Sequence, residues 1–247
     1  MTTLTELIYF PIVPAVKPED PSNEAGAALL DVFRAAKHQS GYLSSAWGRT
    51  VEDENLVVWA IDWKDAHPGP SATAETLTPF LPSPSSQTPQ TNPPTPTTLL
   101  ATLTPPLTTS ASHPHTPATN TLPSHPITEL FCPSFPTSLT PAETSALHAS
   151  MTAFRTEMLK NLPEGARPIS FSMGQVERPG TRKHEGSPSG EAWGMVVVAG
   201  WESLERHMAA KGMEAFGRGI APVRERMLKG GVGAVVGMRH VRFLAVE

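Results

Sequence analysis

The chain has 247 residues, enough for one large or two small domains, and its hydrophobic content of 39% is ordinary for a globular protein. The net charge of −4 is spread thinly and no run of Lys or Arg occurs, which excludes the basic surface of a nucleic-acid-binding protein. No segment approaches the roughly 20 apolar residues of a membrane-spanning helix. We therefore expect a cytoplasmic protein with neither nucleic acid nor membrane as a partner.

The first quarter of the chain alternates strands with one helix. Residues 4–13 are β-branched and aromatic and predict a strand, and a helix follows that Ser22 or Asn23 can cap. Residues 42–51 and 55–63 predict an antiparallel hairpin across a short acidic turn. Both alternating sets of the second hairpin strand are apolar, which predicts a central strand covered on both faces.

The middle of the chain has an unusual composition. Residues 76–128 contain no Asp, Glu, Lys or Arg, and hold 13 of the 27 prolines of the chain. Such sequence predicts a loosely packed or disordered insertion, at about residues 76–126. Within it, Leu99–Leu103 is interpreted as the remnant of a helix, and Ser112–His115 as a degraded last strand.

The second half has clearer signals. Thr140 and Glu143 form a predicted capping box, and an apolar stripe on the helix that follows comprises Leu147, Met151, Phe154 and Met158. Ser203 is predicted to cap a later helix that glycines and a proline break into short pieces. Three strands are predicted in this half, at 169–177, 192–201 and 235–246.

Several features occur twice in the same order. A Thr-Glu-Leu motif opens each half, at Thr5-Glu6-Leu7 and Thr128-Glu129-Leu130, and an apolar strand later ends in Trp63 or Trp201. This order indicates a duplication. We expect an α+β protein of two ferredoxin-like βαββαβ repeats, at 1–125 and 126–247, whose antiparallel sheets pair into a barrel within one chain.

The same residues carry a resemblance to a known family. Trp47-Gly48-Arg49, the apolar strand ending at Trp63 followed by His67, and the second strand ending at Trp201 followed by His207 resemble the dimeric α/β-barrel superfamily. The nearest resemblance is to fungal proteins with antibiotic-biosynthesis-monooxygenase-like domains. It implies ligand pockets between sheet and helices, and here a monomer that closes its own barrel. Members include cofactor-independent oxygenases of phenols and polyketides, polyketide cyclases, haem-degrading enzymes and stress-response proteins.

Tryptophan and histidine supply the candidate site residues. The chain has five Trp and only two Tyr, and indole rings can wall a pocket for a flat aromatic ligand or fill the gap between helix and sheet. We take His67 and His207 as candidate general bases, with a capping or partly exposed histidine as the alternative. The candidate ligand-binding residues are Trp47, Arg49, Trp59, Trp63, Trp193, Trp201 and His240.

Metal and cofactor motifs are missing from the sequence. No His, Cys, Asp or Glu cluster has metal-ligand spacing, and Gly230-Gly231 precedes a strand, which is typical of a turn and not of a phosphate loop. The leading hypothesis is a cofactor-independent monooxygenase acting on an aromatic or polyketide-type molecule. The alternative is a non-catalytic ligand-binding or stress-response barrel. Haem binding is a minor alternative, because residues 4–13 lack the Asn found in haem-degrading relatives.

Overall fold

A computed structural model describes residues 3–65, 75–83, 95–109, 121–230 and 236–247. These residues carry four α-helices and eleven β-strands. The helices are α1 (Glu24–Ala35), α2 (Pro141–Lys160), α3 (Leu204–Lys211) and α4 (Glu214–Arg224). The strands are β1 (Leu4–Pro11), β2 (Tyr42–Arg49), β3 (Leu56–Trp63), β4 (Thr97–Ala101), β5 (Ile127–Phe131), β6 (Ser134–Pro136), β7 (Ser170–Arg178), β8 (Arg182–Lys183), β9 (Glu191–Trp201), β10 (Arg239–Val241) and β11 (Leu244–Ala245).

The predicted hairpin and central strand of the first half are confirmed. Antiparallel β3 lies between β1 and β2, and every residue of β3 is buried, as its two apolar faces require. Helix α1 begins after Asn23, whose Oδ1 accepts the backbone N–H of Gly26 at 2.7 Å. The helix packs through Leu29 and Phe33 against one face of this sheet.

The interpretation of Leu99–Leu103 as a helix remnant is wrong. Thr97–Ala101 forms β4, which pairs with β1 on one side and with β7 on the other. Leu99, Leu100 and Leu103 are buried, so sheet pairing and apolar contacts order this segment despite its flanking prolines. Ser112–His115, interpreted as a last strand, lies outside the described residues.

The second half repeats a central strand. β9 pairs with β5 and β7 along its length, and with β6 and β8 at its start. The predicted capping box is confirmed, because Thr140 Oγ1 accepts the N–H of Glu143 while Glu143 Oε2 accepts the N–H of Thr140 at 2.8 Å. The predicted stripe of α2 is buried at all four positions, Leu147, Met151, Phe154 and Met158.

The predicted closing strand at 235–246 is wrong as one element. The structure has two short strands, of which β10 pairs with β5 and β11 pairs with β2. Val241 also bridges Thr50, so the last residues of the chain join strands from both halves. Phe243, between the two strands, is buried in the interior that the halves share.

The strands form one curled antiparallel sheet with helices on its outer face. Its order is β10-β5-β9-β7-β4-β1-β3-β2-β11, and β4 and β7 join the two halves. The inner face buries side chains from both halves, among them Tyr9, Val58 and Val198. On the outer face α1 covers the first half, while α2 and α4 cover the second. The chain is therefore an α+β protein built like a ferredoxin-like barrel.

No helix in the described part of the chain has both the length and the apolar composition to cross a membrane.

Candidate functional site

A cleft of about 510 Å3 opens between α2 and β7 on the outer face of the second half. Thioethers of Met173 and Met195 form apolar parts of its wall. The other lining residues are Thr102, Thr104, His148, Thr152, Arg155, Gly174, Gln175 and Glu177. This volume lies within the roughly 300–1,000 Å3 range of small-molecule sites.

The helix wall of the cleft follows from helical periodicity. His148, Thr152 and Arg155 are spaced by four and three positions along α2, so they share one face of the helix. Arg155 Nη1 donates a hydrogen bond to Thr104 O at 3.0 Å, which fixes the guanidinium at the rim. The apolar stripe of α2 fixes the rotation of the helix and thereby presents this polar face to the cleft.

The opposite wall depends on a close backbone approach. A Cβ added at Gly174 would lie 2.1 Å from Thr102 O, so only glycine lets residues 102–104 run beside β7. Thr104 N donates to Met173 O at 2.8 Å, and Met173 N donates to Thr104 O at 3.1 Å. Part of the predicted insertion therefore forms one side of the cleft.

His148 is the imidazole of the cleft. Its Nε2 atom is shielded from solvent and makes no hydrogen bond among the described residues. Its ring stands edge to face with the indole of Trp193, at a centroid distance of 5.9 Å. Trp193 is held in turn by Phe135 and by a bond from its Nε1 to Pro136 O at 3.1 Å. An unpaired ring nitrogen beside a cleft can accept a proton from a bound molecule.

A second polar cluster lies buried at the far end of β9. Trp201 Nε1 donates to Glu129 Oε2 at 3.2 Å, and the indole stacks on the His207 ring at 4.7 Å. His207 Nδ1 lies 2.8 Å from His240 Nε2, and its Nε2 lies 3.3 Å from Glu129 Oε2. The other ring nitrogen of His240 is bonded to Glu52. A chain of polar groups thus runs from Glu129 in the interior to Glu52 at the surface.

Burial determines the protonation of this cluster. Burial raises the pKa of Glu129 to about 7, against the opposing effects of the Trp201 hydrogen bond and the Lys211 charge. Burial also lowers the pKa of His207 to about 3, with help from the neighbouring His240 and Lys211. At Glu52 burial acts the other way, but hydrogen bonds from His240 outweigh it and lower the pKa. The buried end of the chain therefore favours a protonated carboxyl beside a neutral imidazole.

The first half keeps the Glu–Trp contact of this cluster. Trp63 Nε1 donates to Glu6 Oε2 at 2.9 Å, and burial raises the pKa of Glu6. Both glutamates belong to the Thr-Glu-Leu motif that opens each half, so the repeated motif marks the same contact twice. His67, the candidate base of the first half, lies outside the described residues.

Of the remaining candidate residues of the first half, Trp47 and Trp59 pack in its core, whereas Arg49 is partly exposed and lines, with an edge of Trp47, a separate surface cleft of about 410 Å3. The Trp47 and Trp59 rings lie 5.9 and 4.6 Å from the ring of Phe33 on α1. Arg49 pairs with Glu19 and donates to Val16 O at 2.9 Å, which ties the loop before α1 to β2. Arg49, Trp47 and Trp59 are not among the residues that line the α2–β7 cleft, and Trp193 is connected to the cleft through its contact with the His148 ring.

Sequence reasoning missed His148, Arg155, Glu52 and Glu129 as site residues. A signal for His148 and Arg155 was present, because they share the polar side of a helix whose apolar stripe was recognised. The signal for Glu129 was the repeated Thr-Glu-Leu motif, since a carboxylate at matched positions inside an apolar strand needs a partner. Among the described residues, no group of three His, Cys, Asp or Glu is placed to hold a metal ion.

Comparison with known proteins gives a likeness of fold. The sequence matches no protein-family model, and no curated protein matches it significantly. An anthrone oxidase-like protein superposes with a TM-score of 0.59 at 15% identity, covering 99% of this chain and 92% of that chain. A haem-binding protein from Thermus thermophilus gives a TM-score of 0.51 at 13% identity, with 99% and 92% coverage.

A suspected monooxygenase from Fusobacterium nucleatum subsp. nucleatum gives a TM-score of 0.50 at 6% identity, covering all of this chain and 93% of that chain. At such identities the likeness concerns architecture and not activity. The chain shares with these solved structures its overall fold, a curled antiparallel sheet with helices on its outer face.

Proposed function

We propose that this protein is a cofactor-independent monooxygenase-like protein that acts on an aromatic or polyketide-type small molecule in the α2–β7 cleft. The observation that carries the proposal is the unpaired, shielded Nε2 of His148 in a cleft of about 510 Å3 that also contains Arg155. The fold shared with an anthrone oxidase-like protein supports the substrate class. The Met side chains and the Trp193 indole suit a flat, apolar ring system.

The chemistry requires a base and an anion-stabilising group. His148 would remove a proton from an activated C–H or phenol, and the Arg155 guanidinium would stabilise the resulting anion. That anion can reduce O2 directly, so one oxygen atom enters the product as a carbonyl and the other leaves as water. We assign the base to His148 in place of His207, because His148 lines the cleft, whereas the His207 ring is enclosed by Trp201 and Glu129 and its pKa is lowered to about 3.

The remaining candidate residues have different proposed roles. Trp193 would form part of the ligand-binding wall, whereas Trp47, Trp59 and Arg49 would serve packing and loop anchoring. Trp63, Trp201 and His240 would hold the buried carboxyls. His67 stays a prediction for the first half.

We also propose that the chain is a tandem repeat, with units at 1–125 and 126–247, that closes its own barrel as a cytoplasmic monomer. The matched Glu6–Trp63 and Glu129–Trp201 contacts support the duplication, and the shared interior supports closure within one chain. The fungal tandem antibiotic-biosynthesis-monooxygenase-like group is the family we propose for it. Light scattering tests the monomer, which a strict dimer would contradict.

A non-catalytic ligand-binding barrel is the second candidate. It is favoured by the cleft's polar wall, which carries hydroxyl and amide groups but only one imidazole, so a ligand could be held without being turned over. Haem does not fit His207, whose ring is enclosed by Trp201, Glu129 and His240. In the cleft, His148 Nε2 is the nitrogen that could bind haem iron.

Oxygen uptake with anthrone as the probe tests the proposed reaction. We expect the wild type to consume O2 and to form the quinone, and His148→Phe to lose at least about 100-fold in rate, as expected when a general base is removed. His38→Gln is the matched control, because His38 is an exposed histidine at the end of α1, and its rate should equal that of the wild type. Turnover that survives in His148→Phe would contradict the proposal.

Binding separates the two candidates. Anthrone that quenches Trp193 fluorescence without O2 uptake, with the quenching lost in Trp193→Phe, would favour the non-catalytic barrel. Haemin added in the same titration tests the minor alternative by its Soret band. A Soret shift in the wild type that is missing in His148→Phe would replace both candidates with haem binding.

A further inference from the structure

The cluster at the end of β9 forms an unbroken series of contacts between groups that can each give and take a proton. Its three links join Glu129 to His207, His207 to His240, and His240 to Glu52. The first link, at 3.3 Å, is the longest and lacks the geometry of a hydrogen bond, so these two groups must realign before a proton can pass between them. The side chains of His207 and Glu129 retain 0% and 9% of their exposure, whereas that of Glu52 retains 33%. The series therefore runs from the interior to solvent.

A count of protons shows what the series needs. Each of the three links requires one proton, and two neutral imidazoles supply two of them. The third comes either from a carboxyl group or from a second proton on His240, which would place the His207 proton on Nε2. With both rings neutral, one of the two glutamates is protonated when every link is a hydrogen bond.

Two arrangements satisfy this count. In the first, Glu129 Oε2–H donates to His207 Nε2, His207 Nδ1–H donates to His240 Nε2, and His240 Nδ1–H donates to the Glu52 carboxylate. In the second, every bond is reversed and the proton lies on Glu52. The two arrangements differ by the transfer of one proton along the series, with no change in the number of bonds.

We propose that Glu129, His207, His240 and Glu52 form a proton path that connects solvent at Glu52 with a second acid–base centre at Glu129. The path lies apart from the α2–β7 cleft and does not depend on the oxygenase proposal. A proton that enters at Glu52 displaces one from each link in turn, so that Glu129 regains a proton without being exposed to water. Each ring holds the same number of protons before and after the transfer.

The surroundings favour the first arrangement. The backbone N–H of His240 donates to Glu52 Oε2 at 3.0 Å, which stabilises a carboxylate at Glu52. At the other end, the Trp201 N–H can donate to Glu129 Oε2 while that oxygen donates its own proton to His207. The charged and titratable groups that act on Glu129 are His207 and Lys211 from α3, with His240 from β10 behind them. Ionised Glu129 is therefore the less stable buried form.

The ring tautomers of the wild-type protein test the path without any variant. Nitrogen-15 NMR at pH 6 should find the proton of both His207 and His240 on Nδ1. Infrared spectroscopy should show the C=O band of a protonated carboxyl that Glu129→Gln removes. Glu6→Gln is the matched control, because Glu6 makes the same bond to Trp63 but belongs to the other half. Finding the His207 proton on Nε2, or no band assignable to Glu129, would overturn the proposal.

Substitution at the far end tests the transfer itself. Glu52→Gln removes a negative charge and lets the Gln amide donate to His240, so the reversed arrangement can form once Glu129 ionises. We expect the pKa of Glu129, measured by its infrared band, to fall by about one unit, and both rings to move their protons to Nε2 on ionisation. An unchanged Glu129 titration in folded Glu52→Gln would show that the four groups are not coupled, and the proposal would be wrong.

Discussion

The two halves bury the same Glu–Trp contact but build different surroundings around it. In the first half, Trp63 and Glu6 lie at the end of a sheet whose outer face is filled by Phe33, Trp47 and Trp59. In the second half, Trp201 and Glu129 add His207, which continues the contact towards His240 and the surface. The same Glu–Trp contact is therefore surrounded by packed rings in the first half and by titratable groups in the second.

The outer faces of the sheet also differ between the two halves, in how the covering helix packs on them. Phe33 packs against three aromatic rings of the first half, whereas α2 in the second half stands off from β7 far enough to leave the cleft. Both helices present a large ring to the sheet, Phe33 on α1 and Phe154 on α2, but α2 also presents His148, Thr152 and Arg155 to the cleft.

The largest expected effect is a loss of stability when the aromatic core of the first half is truncated. Phe33→Ala should lower the free energy of unfolding by about 3–5 kcal/mol, because it leaves a cavity among Phe10, Trp47 and Trp59. Urea unfolding followed by tryptophan fluorescence measures this. Thr152→Ala, at an exposed position of the cleft wall, is the matched truncation and should change the free energy by less than about 0.5 kcal/mol. Equal losses in both variants would remove the contrast between a packed and an open half.

The next effect concerns pH and the second half. Glu129 binds a proton more tightly in the folded chain, since burial raises its pKa from 4.5 to about 7. It therefore contributes stability below pH 4.5, and that contribution is lost as pH rises to 7, by roughly 3 kcal/mol. Glu129→Gln should remove this fall from the pH dependence of urea unfolding. If Glu129→Gln still loses stability as the pH rises from 4.5 to 7, the titrating group is a different one.

His207 acts on stability with the opposite sign. Its pKa is lowered from 6.5 to about 3, so folded His207 resists protonation and stability rises as pH increases from 3 to 6.5. Glu129 acts with the opposite slope between pH 4.5 and 7, so the two effects offset each other where the ranges overlap, and the wild type should be most stable near pH 4.5–6.5. In His207→Asn, the free energy of unfolding should therefore change less between pH 3 and 6.5 than it does in the wild type. The same series of urea unfolding experiments measures this difference.

The smallest effect concerns the helix that carries the cleft. Thr140→Ala removes the capping box of α2 and should cost about 1 kcal/mol. Because α2 holds His148 and Arg155, the same change should weaken anthrone binding slightly while leaving the Glu129 titration unaltered. Thr156→Ala, on an exposed part of α2, is the control and should leave both unchanged. A shift of the Glu129 titration in Thr140→Ala would mean that cleft and cluster are coupled.

Local signals in the sequence predicted much of the fold. The central strands at Trp63 and Trp201, the α2 cap and its buried stripe are confirmed, since each depends on periodicity or capping within a few residues. β4 was missed because its proline-rich flanks conceal a strand that is stabilised by β1 and β7 on either side. Long-range pairing is invisible in a local pattern.

The candidate site was less predictable for the same reason. His207 and His240 are 33 positions apart, and Glu52 lies 188 positions from His240, so no spacing in the sequence relates them. The cleft also depends on Gly174, whose role is to admit the backbone of residues 102–104. Composition indicates which residue types are available for chemistry, but the sheet register decides which of them meet.

The two short C-terminal strands also constrain the order of folding. The hairpin of β2 and β3 can form as soon as residues 42–63 exist, whereas β10 and β11 are the last strands in the chain and must find partners in both halves. Contacts between residues so far apart in the sequence form slowly, because the entropy cost of closing a long loop comes before the contacts can stabilise the chain. During synthesis, the edge of β2 would therefore remain unpaired until Leu244 and Ala245 have been added and have paired with it. The contact between Glu52 and His240 can then form only after β10 has joined the strands of both halves.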